Sequence, residues 1–323
     1  MEYKKIILVT GGAGFIGSNY LNKFVPKYKN YLFVNVDILT YAANLSNVKI
    51  QSAKNYKFEK VDIRDIKNLE KIFIKYKPTD IINFAAETHV DFSIDNPAIF
   101  IETNINGTNN LLSLAKEHRI NRFCQISTDE VYGQLKTKRG KFKETYNLDP
   151  SSPYSASKAA AELLVNAYHK TFSLNTIITR SSNNYGPNQD VSKLIPKFIT
   201  NLINNKKVPI YASGKNIRDW IYVEDNVEAI DLVFRKGKAG DVYNIGGSCE
   251  KTNLEITKIL LTLLKKDDSY IEYVPDRLGH DFRYALDVSK IYKELGWRPK
   301  HTFKDGIKKT IEFYKNLELT KIL

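Results

Sequence analysis

Residues 5–17 read KIILVTGGAGFIG, and the fold follows from this stretch. Residues 6–9 are a short apolar run of strand type. Gly11, Gly14 and Gly17 come next in G-x-x-G-x-x-G spacing, and Ile16, Tyr20 and Phe24 then recur at helical period. Strand, glycine turn and helix is the context of a dinucleotide fingerprint. The glycines permit a tight turn and close backbone approach, and the helix N-terminus faces the pyrophosphate. A second strand is expected over 31–37. It ends in Asp37, about twenty residues beyond Gly17, where a ribose-binding carboxylate belongs. Asp37 would accept from a 2′-hydroxyl and repel a 2′-phosphate, so NAD is expected rather than NADP.

The pattern then repeats. Strands are expected over 58–61, 80–84, 122–126 and 175–179, with helices over 105–119 and 153–170 between them. This alternation predicts an α/β fold built on a doubly wound parallel sheet of Rossmann type. Polar residues cluster just past the strand ends, where such sheets bind ligands. After about Ser181 the segments shorten and Pro, Asn and Gly become frequent. Residues 217–247 read as a return to the sheet, with a helix over 224–234 and a strand over 242–245. The expected organisation is an NAD-binding domain, 1–180 plus 217–247. A smaller, discontinuous α/β substrate domain takes 181–216 plus 248–323.

Residues 150–158 read PSSPYSASK. Ser152 suits an N-cap and Pro153 the first helical position. Tyr154 and Lys158, four apart, then share one helix face. A lysine cation beside the phenol would lower its ordinary value of about 10 and make Tyr154 an acid–base group. By itself Y-x-x-x-K also describes a half-buried tyrosine with a snorkelling lysine. The preceding fingerprint turns the reading towards chemistry.

The chain has 323 residues, 42% of them apolar, and a net charge of +13. Its lysines are scattered, so the charge reads as solvated surface and no nucleic-acid partner is expected. The densest patch, 136–143, reads as a mobile loop. Neither a leader peptide nor a membrane span is expected. Cys124 and Cys249 are too few for a disulfide framework, and a cytoplasmic setting is expected. The five histidines show no ligand spacing, so no metal site is expected.

TGGAGFIGS, VDILTYAANL, FAAETHVD, STDEVYG, PSSPYSASKAAAE, SNNYGP, PIYASGKNIRDWIYVED and DRLGHDFRYALD together resemble the nucleotide-sugar 4,6-dehydratases of dTDP-glucose type. These are extended short-chain dehydrogenase/reductases. The resemblance runs from Lys4 to about Tyr314, and the triplet Thr128-Asp129-Glu130 is its most specific part. It implies oxidation of a glucose ring at C4, loss of water across C5 and C6, and reduction at C6. Tyr154 would take the O4 proton, Lys158 would hold the cofactor ribose, and Thr128 would hydrogen-bond near O4. Glu130 would be the base at C5 and Asp129 the acid at O6. Two carboxyl groups can divide these roles if their pKa values are pushed apart; as a bare pair they could equally be solvated loop residues. Phe15, Ile16, Asp37, Thr40, Asp62, Ile63, Ala85, Ala86, Thr103 and Asn184 match cofactor contacts of the family. Thr88 and Asn183 match sugar contacts. Lys193, Leu194, Pro209, Tyr211, Arg218, Asn253, Arg277 and His280 match its nucleotide-diphosphate pocket. His89 and His280 also read as ordinary structural histidines.

The chain departs from the family in three places. The segment between Glu130 and Tyr154 is short, Phe92 stands where an Arg is usual, and Asp190-Val191-Ser192 replaces a more typical FPE. The substrate is expected to be a nucleotide-diphosphate-glucose, with dTDP and UDP both open. The expected product is a 4-keto-6-deoxy sugar of the rhamnose type of route. A homodimer is expected because helices 105–119 and 153–170 carry apolar residues on more than one face: Leu111, Leu112, Leu114, Leu163, Leu164 and Val165. The competing enzyme readings are a nucleotide-sugar 4-epimerase or a uronate decarboxylase, against which the Asp129–Glu130 pair argues. A non-catalytic NAD-sensing protein is a more distant reading, and the presence of both Tyr154 and Lys158 argues against it.

Overall fold

The computed structural model describes residues 3–322 apart from 136, 138, 277 and 278. The first half runs β1 (Lys5–Thr10), α1 (Phe15–Phe24), β2 (Tyr31–Val36), β3 (Tyr56–Glu59), α2 (Ile66–Tyr76) and β4 (Asp80–Asn83). Two short helices follow, α3 (Val90–Asp95) and α4 (Pro97–Phe100). A wider π-helical stretch, Ile101–Gly107, then leads into α5 (Thr108–Glu117). β5 (Arg122–Thr128), α6 (Pro153–Phe172) and β6 (Thr176–Ser181) complete this half. The second half runs β7 (Asn183–Tyr185), α7 (Leu194–Ile203), β8 (Val208–Tyr211), β9 (Ile217–Tyr222), α8 (Val223–Lys236) and β10 (Val242–Ile245). It ends with β11 (Glu250–Thr252), α9 (Asn253–Leu263), β12 (Ile271–Val274), α10 (Ser289–Leu295) and α11 (Phe303–Ile322).

The main sheet has seven strands among the described residues, in the order β3-β2-β1-β4-β5-β6-β10, all parallel. Its apolar runs fit burial on both faces. Along β1 the side chains alternate: Ile7 and Val9 join one core cluster and Leu8 the other. The strand order reverses between β1 and β4, which opens a crevice at their C-terminal ends. A third cluster, about Trp220, Tyr222, Ile256 and Ile307, lies under two small sheets, β11-β9-β7 and β12-β8.

Several expectations need correction. The strand expected over 58–61 is Tyr56–Glu59, because buried Tyr56 starts it and exposed Lys57 hides the run. Of residues 217–247, only β10 rejoins the main sheet; β9 pairs with β7 and β11. Leu111, Leu112 and Leu114 are buried within the chain, since α5 packs on α2 and α6 as well as on the sheet. They are not surplus surface, whereas Leu163 is 61% exposed. The basic patch ends in an anchor: Phe142 is buried, stacks on Tyr132 at 4.8 Å and bridges to Leu286.

Candidate active site

One cleft runs along the switch point, and every residue expected to touch a cofactor lines it: Gly11, Gly14, Phe15, Ile16, Gly17, Asp37, Thr40, Asp62, Ile63, Ala85, Ala86, Thr103, Tyr154, Lys158 and Asn184. The turn after β1 is shaped by lack of space. Gly11 has φ +68°, and a Cβ on it would lie 2.6 Å from Ala85 N. A Cβ on Gly17 would lie 2.3 Å from the Gly11 carbonyl oxygen. Gly14 caps α1 without a capping side chain, so the first-turn N–H groups are left for a ligand. Beside this turn, the Asp37 carboxylate accepts from Ala13 N at 2.9 Å and Leu39 N at 2.8 Å. Burial raises its pKa and these two bonds oppose the rise. An uncapped helix start opposite an aligned carboxylate fits the diphosphate and ribose of NAD.

The helix that carries Tyr154 and Lys158 begins as its sequence dictates. Ser152 and Ser155 form a reciprocal capping box, and Pro153 opens α6. Tyr154 and Lys158 are both buried on its first turns. Lys158 Nζ donates to the Ile126 carbonyl at 2.8 Å, and burial lowers its pKa to about 8. The expected effect of Lys158 on Tyr154 is not what the structure shows. The phenol is held above its ordinary value, first by burial and then by the Glu130 and Asp129 charges, while hydrogen bonding with Thr128 opposes this. A dry site next to a carboxylate disfavours phenolate, and the lysine charge is turned towards a backbone oxygen instead.

β5 delivers the triplet. Thr128 Oγ1 accepts from Glu130 N and donates to Asp129 Oδ1, both at 3.3 Å. Asp129 is 2% exposed, and its Oδ2 has no hydrogen-bond partner among the described residues. Its pKa stands well above the ordinary value. Burial is the main cause, with Glu130 and Asp219 adding to it and Arg218 opposing it. Asp129 is thus the carboxyl group of the pair whose ionisation burial disfavours.

The sugar-side residues fall into two groups. Thr88, Asn183 and Lys193 line the same cleft, and Lys193 Nζ donates to the Thr88 carbonyl at 2.9 Å. Leu194, Pro209, Tyr211, Arg218, Asn253 and His280 do not line it. Leu194 opens α7, and Pro209 and Tyr211 lie on β8. Several of the others gather about the segment 279–284. Arg218 donates to the Asp281 carbonyl at 2.9 Å and lies 4.4 Å over the Tyr284 ring. The Tyr211 and His280 rings are 6.0 Å apart, and Asn253 N donates to Asn216 O at 3.1 Å. The two groups meet through charge, Arg218 acting on Asp129 and Glu130 on Tyr284. Arg277 lies outside the described residues. The described residues hold no cluster of His, Cys, Asp and Glu fit for a metal ion.

Comparison with known proteins agrees with this geometry. A dTDP-glucose 4,6-dehydratase of Haemophilus influenzae is 48% identical, over 95% of this chain and 97% of its own length. The crystal structure of a dTDP-glucose 4,6-dehydratase from Bacillus anthracis in complex with NAD matches with TM-score 0.91 and 46% identity, covering 98% of each chain. A Thermus thermophilus UDP-glucose 4-epimerase in complex with NAD also matches, with TM-score 0.89 at 29% identity, over 96% of this chain and 99% of that one. The GDP-mannose 4,6 dehydratase family matches residues 8–310. The chain belongs to that family.

Because an epimerase shares the fold, the fold alone does not assign the reaction to this dehydratase-family member. Sequence reasoning passed over some of its lining residues. Tyr41 and Glu87 face each other across the cleft and share a hydrogen bond of 3.1 Å. Both sit inside motifs already quoted, VDILTYAANL and FAAETHVD, so their positions were legible though their pairing was not. His89, Asp190 and Ser192 also line the cleft. Asp219 and Tyr284 act on the carboxylates from the second half of the chain, and no spacing rule in the sequence pointed to them.

Proposed function

We propose that this chain dehydrates dTDP-glucose to the 4-keto-6-deoxy sugar nucleotide with NAD as its cofactor. The observation that carries this is the triplet Thr128-Asp129-Glu130 at the end of β5, which lines the cleft with Tyr154 and has Asp129 buried at its centre. Relatives at 45–48% identity named dTDP-glucose 4,6-dehydratases support the same activity.

Tyr154 accepts the O4 proton as C4 is oxidised, with Thr128 hydrogen-bonding beside it. NAD, held by the glycine turn, Asp37 and Lys158, would supply the hydride acceptor for C4, the hydride donor for C6 and a cationic ring that favours the phenolate. Lys158, fixed by the Ile126 carbonyl, holds the ribose. The new ketone acidifies the C5 hydrogen, and Glu130 removes it. Asp129 gives its proton to the departing O6, which leaves as water. Glu130 returns a proton to C5 as C6 is reduced and C4 stays a ketone; Tyr154 then gives up its extra proton and Asp129 regains one through solvent, which restores the site. The net change is loss of one water, with no cofactor consumed.

The assignment of residues 1–180 plus 217–247 to the cofactor and 181–216 plus 248–323 to the sugar nucleotide is part of this reading. β10 in the main sheet and the separate core about Trp220 support it, with β9 the exception. We read the enzyme as a homodimer, a reading supported by Ile101 and Leu163, each half exposed or more. No helix among the described residues is long and apolar enough to cross a membrane. Free Cys124 and Cys249 fit a reducing compartment such as the cytoplasm.

The test is incubation with dTDP-glucose and UDP-glucose separately while 4-keto product is followed. Faster turnover of dTDP-glucose is expected. Turnover of UDP-glucose alone overturns the nucleotide assignment, and formation of dTDP-galactose without water loss overturns the dehydration.

A further inference from the structure

Tyr41 sits on the segment 37–44 that follows β2. That segment is pinned at both ends, by the Asp37 carboxylate on Ala13 N and Leu39 N and by Asn44 N donating to Ala13 O at 3.0 Å. Between these anchors Tyr41 is 55% exposed, yet its hydroxyl reaches across the cleft to Glu87 Oε2 at 3.1 Å. The segment needs no such bond to close, since its own ends already hold it.

Glu87 is a rigid acceptor. It is 7% exposed, and Asn104 holds its backbone from both sides: Glu87 N donates to Asn104 Oδ1 at 2.8 Å and Asn104 Nδ2 donates to Glu87 O at 3.0 Å. Asn104 also donates to Ser157 Oγ at 2.8 Å, which donates to the Tyr154 carbonyl at 2.7 Å. The acceptor is thus fixed to the helix that carries Tyr154 and Lys158. The donor's ring has its own seat. Tyr41 meets Phe92 edge to face at 6.3 Å, Phe92 lies 6.0 Å from Phe100, and Phe100 meets Tyr154 edge to face at 6.3 Å. Edge-to-face rings attract beyond their buried area. Phe92 is the residue that stands where an arginine is usual.

We propose that Tyr41 and Glu87 form a latch across the cleft that slows release of the dinucleotide, with Phe92 seating the latch. It joins the wall bearing Asp37 and Thr40 to the wall bearing Ala85 and Ala86. A hydrogen bond to a carboxylate is stronger than a neutral one, so the closure is suited to retention. Slow release does not limit turnover, because the cycle returns NAD to its starting state. The latch rests on the reading of the cleft as an NAD site.

The experiment loads the full chain with NAD and chases with isotopically labelled NAD, measuring dissociation and association rates for the parent, Tyr41→Phe and Phe92→Ala. Tyr41→Phe removes only the hydroxyl. Dissociation is expected to rise on the order of tenfold, the scale of one hydrogen bond to a charged group, with association no slower. Phe92→Ala should shift dissociation in the same direction by less. General damage to the fold would slow association as well. A rise in dissociation of under about threefold for Tyr41→Phe, or slowed association in that variant, overturns the latch. A parent chain that binds no NAD overturns the cofactor reading itself, and the latch with it.

Discussion

Lys158 Nζ donates to the carbonyl oxygen of Ile126 at 2.8 Å, so the catalytic helix is tied to β5 just upstream of Thr128. The bond sets the registry between Tyr154 on α6 and the carboxylates that follow β5. It also fixes a buried cation whose pKa is lowered to about 8 from the ordinary 10.5.

That lowered value has a consequence for stability. Between about pH 8 and 10.5 the unfolded chain keeps the lysine proton while the folded chain loses it, so stability rises with pH through this window. Below it both states are protonated and the cost of burying the charge is present in full. Replacing Lys158 with Met should remove this dependence. Urea unfolding of the cofactor-free proteins at pH 8 and 9.5 should show a smaller rise for Lys158→Met, by up to roughly 1.4 kcal/mol per pH unit for one proton. Equal slopes would mean that Lys158 is not titrating there.

Glu130→Gln should separate oxidation from elimination. Gln keeps the size and hydrogen bonding of Glu but cannot take the C5 proton. Product formation should fall on the order of a hundredfold or more, and C5 exchange with deuterated solvent should fall with it. Exchange at the parent rate would remove Glu130 from the role of base.

Asp129→Asn should behave differently. The buried carboxyl group read as the acid at O6 is gone, so water loss should drop by a similar factor, on the order of a hundredfold. Glu130 remains, so C5 exchange should persist. In the parent, turnover should fall on the alkaline side as Asp129 ionises, and Asp129→Asn should lose that limb. Loss of C5 exchange in Asp129→Asn would show that the two carboxylates do not divide the work.

Gly17→Ala tests the turn. The new Cβ would stand 2.3 Å from the Gly11 carbonyl oxygen and 2.8 Å from Gly12 Cα, both backbone atoms. A destabilisation of about 1–3 kcal/mol is expected, with NAD affinity falling at least about tenfold. Urea midpoints and NAD titration check both. Unchanged NAD affinity would show that the turn does not need this close approach.

Leu163→Asp tests the dimer. Leu163 is 61% exposed in the single chain, so the change should cost the protomer little. In a dimer it would bury a charge. Light scattering should then report the mass of one chain where the parent reports two. A parent of single-chain mass would contradict the dimer directly.

Much of this protein is legible in the sequence. The expected β1, α1 and β2, the start of α6, and the shared face of Tyr154 and Lys158 all match the structure. These signals act within a strand or a helical turn, through side-chain period, capping and glycine sterics. The expected cofactor contacts all line one cleft, many of them just past strand ends, where a doubly wound sheet binds its ligands.

What only the tertiary structure decided depends on segments far apart in the chain. β9 joins a small sheet because β7 and β11 offer their edges to it. Leu111, Leu112 and Leu114 turn inward because α2 and α6 flank α5. The Asp129 pKa is raised by burial, Glu130 and Asp219, and that of Tyr154 is raised rather than lowered because burial and Glu130 act on it. Desolvation and Coulomb effects follow from which groups share a low-dielectric volume. Spacing along the chain fixes which residues lie on a face, and only packing fixes what that face meets.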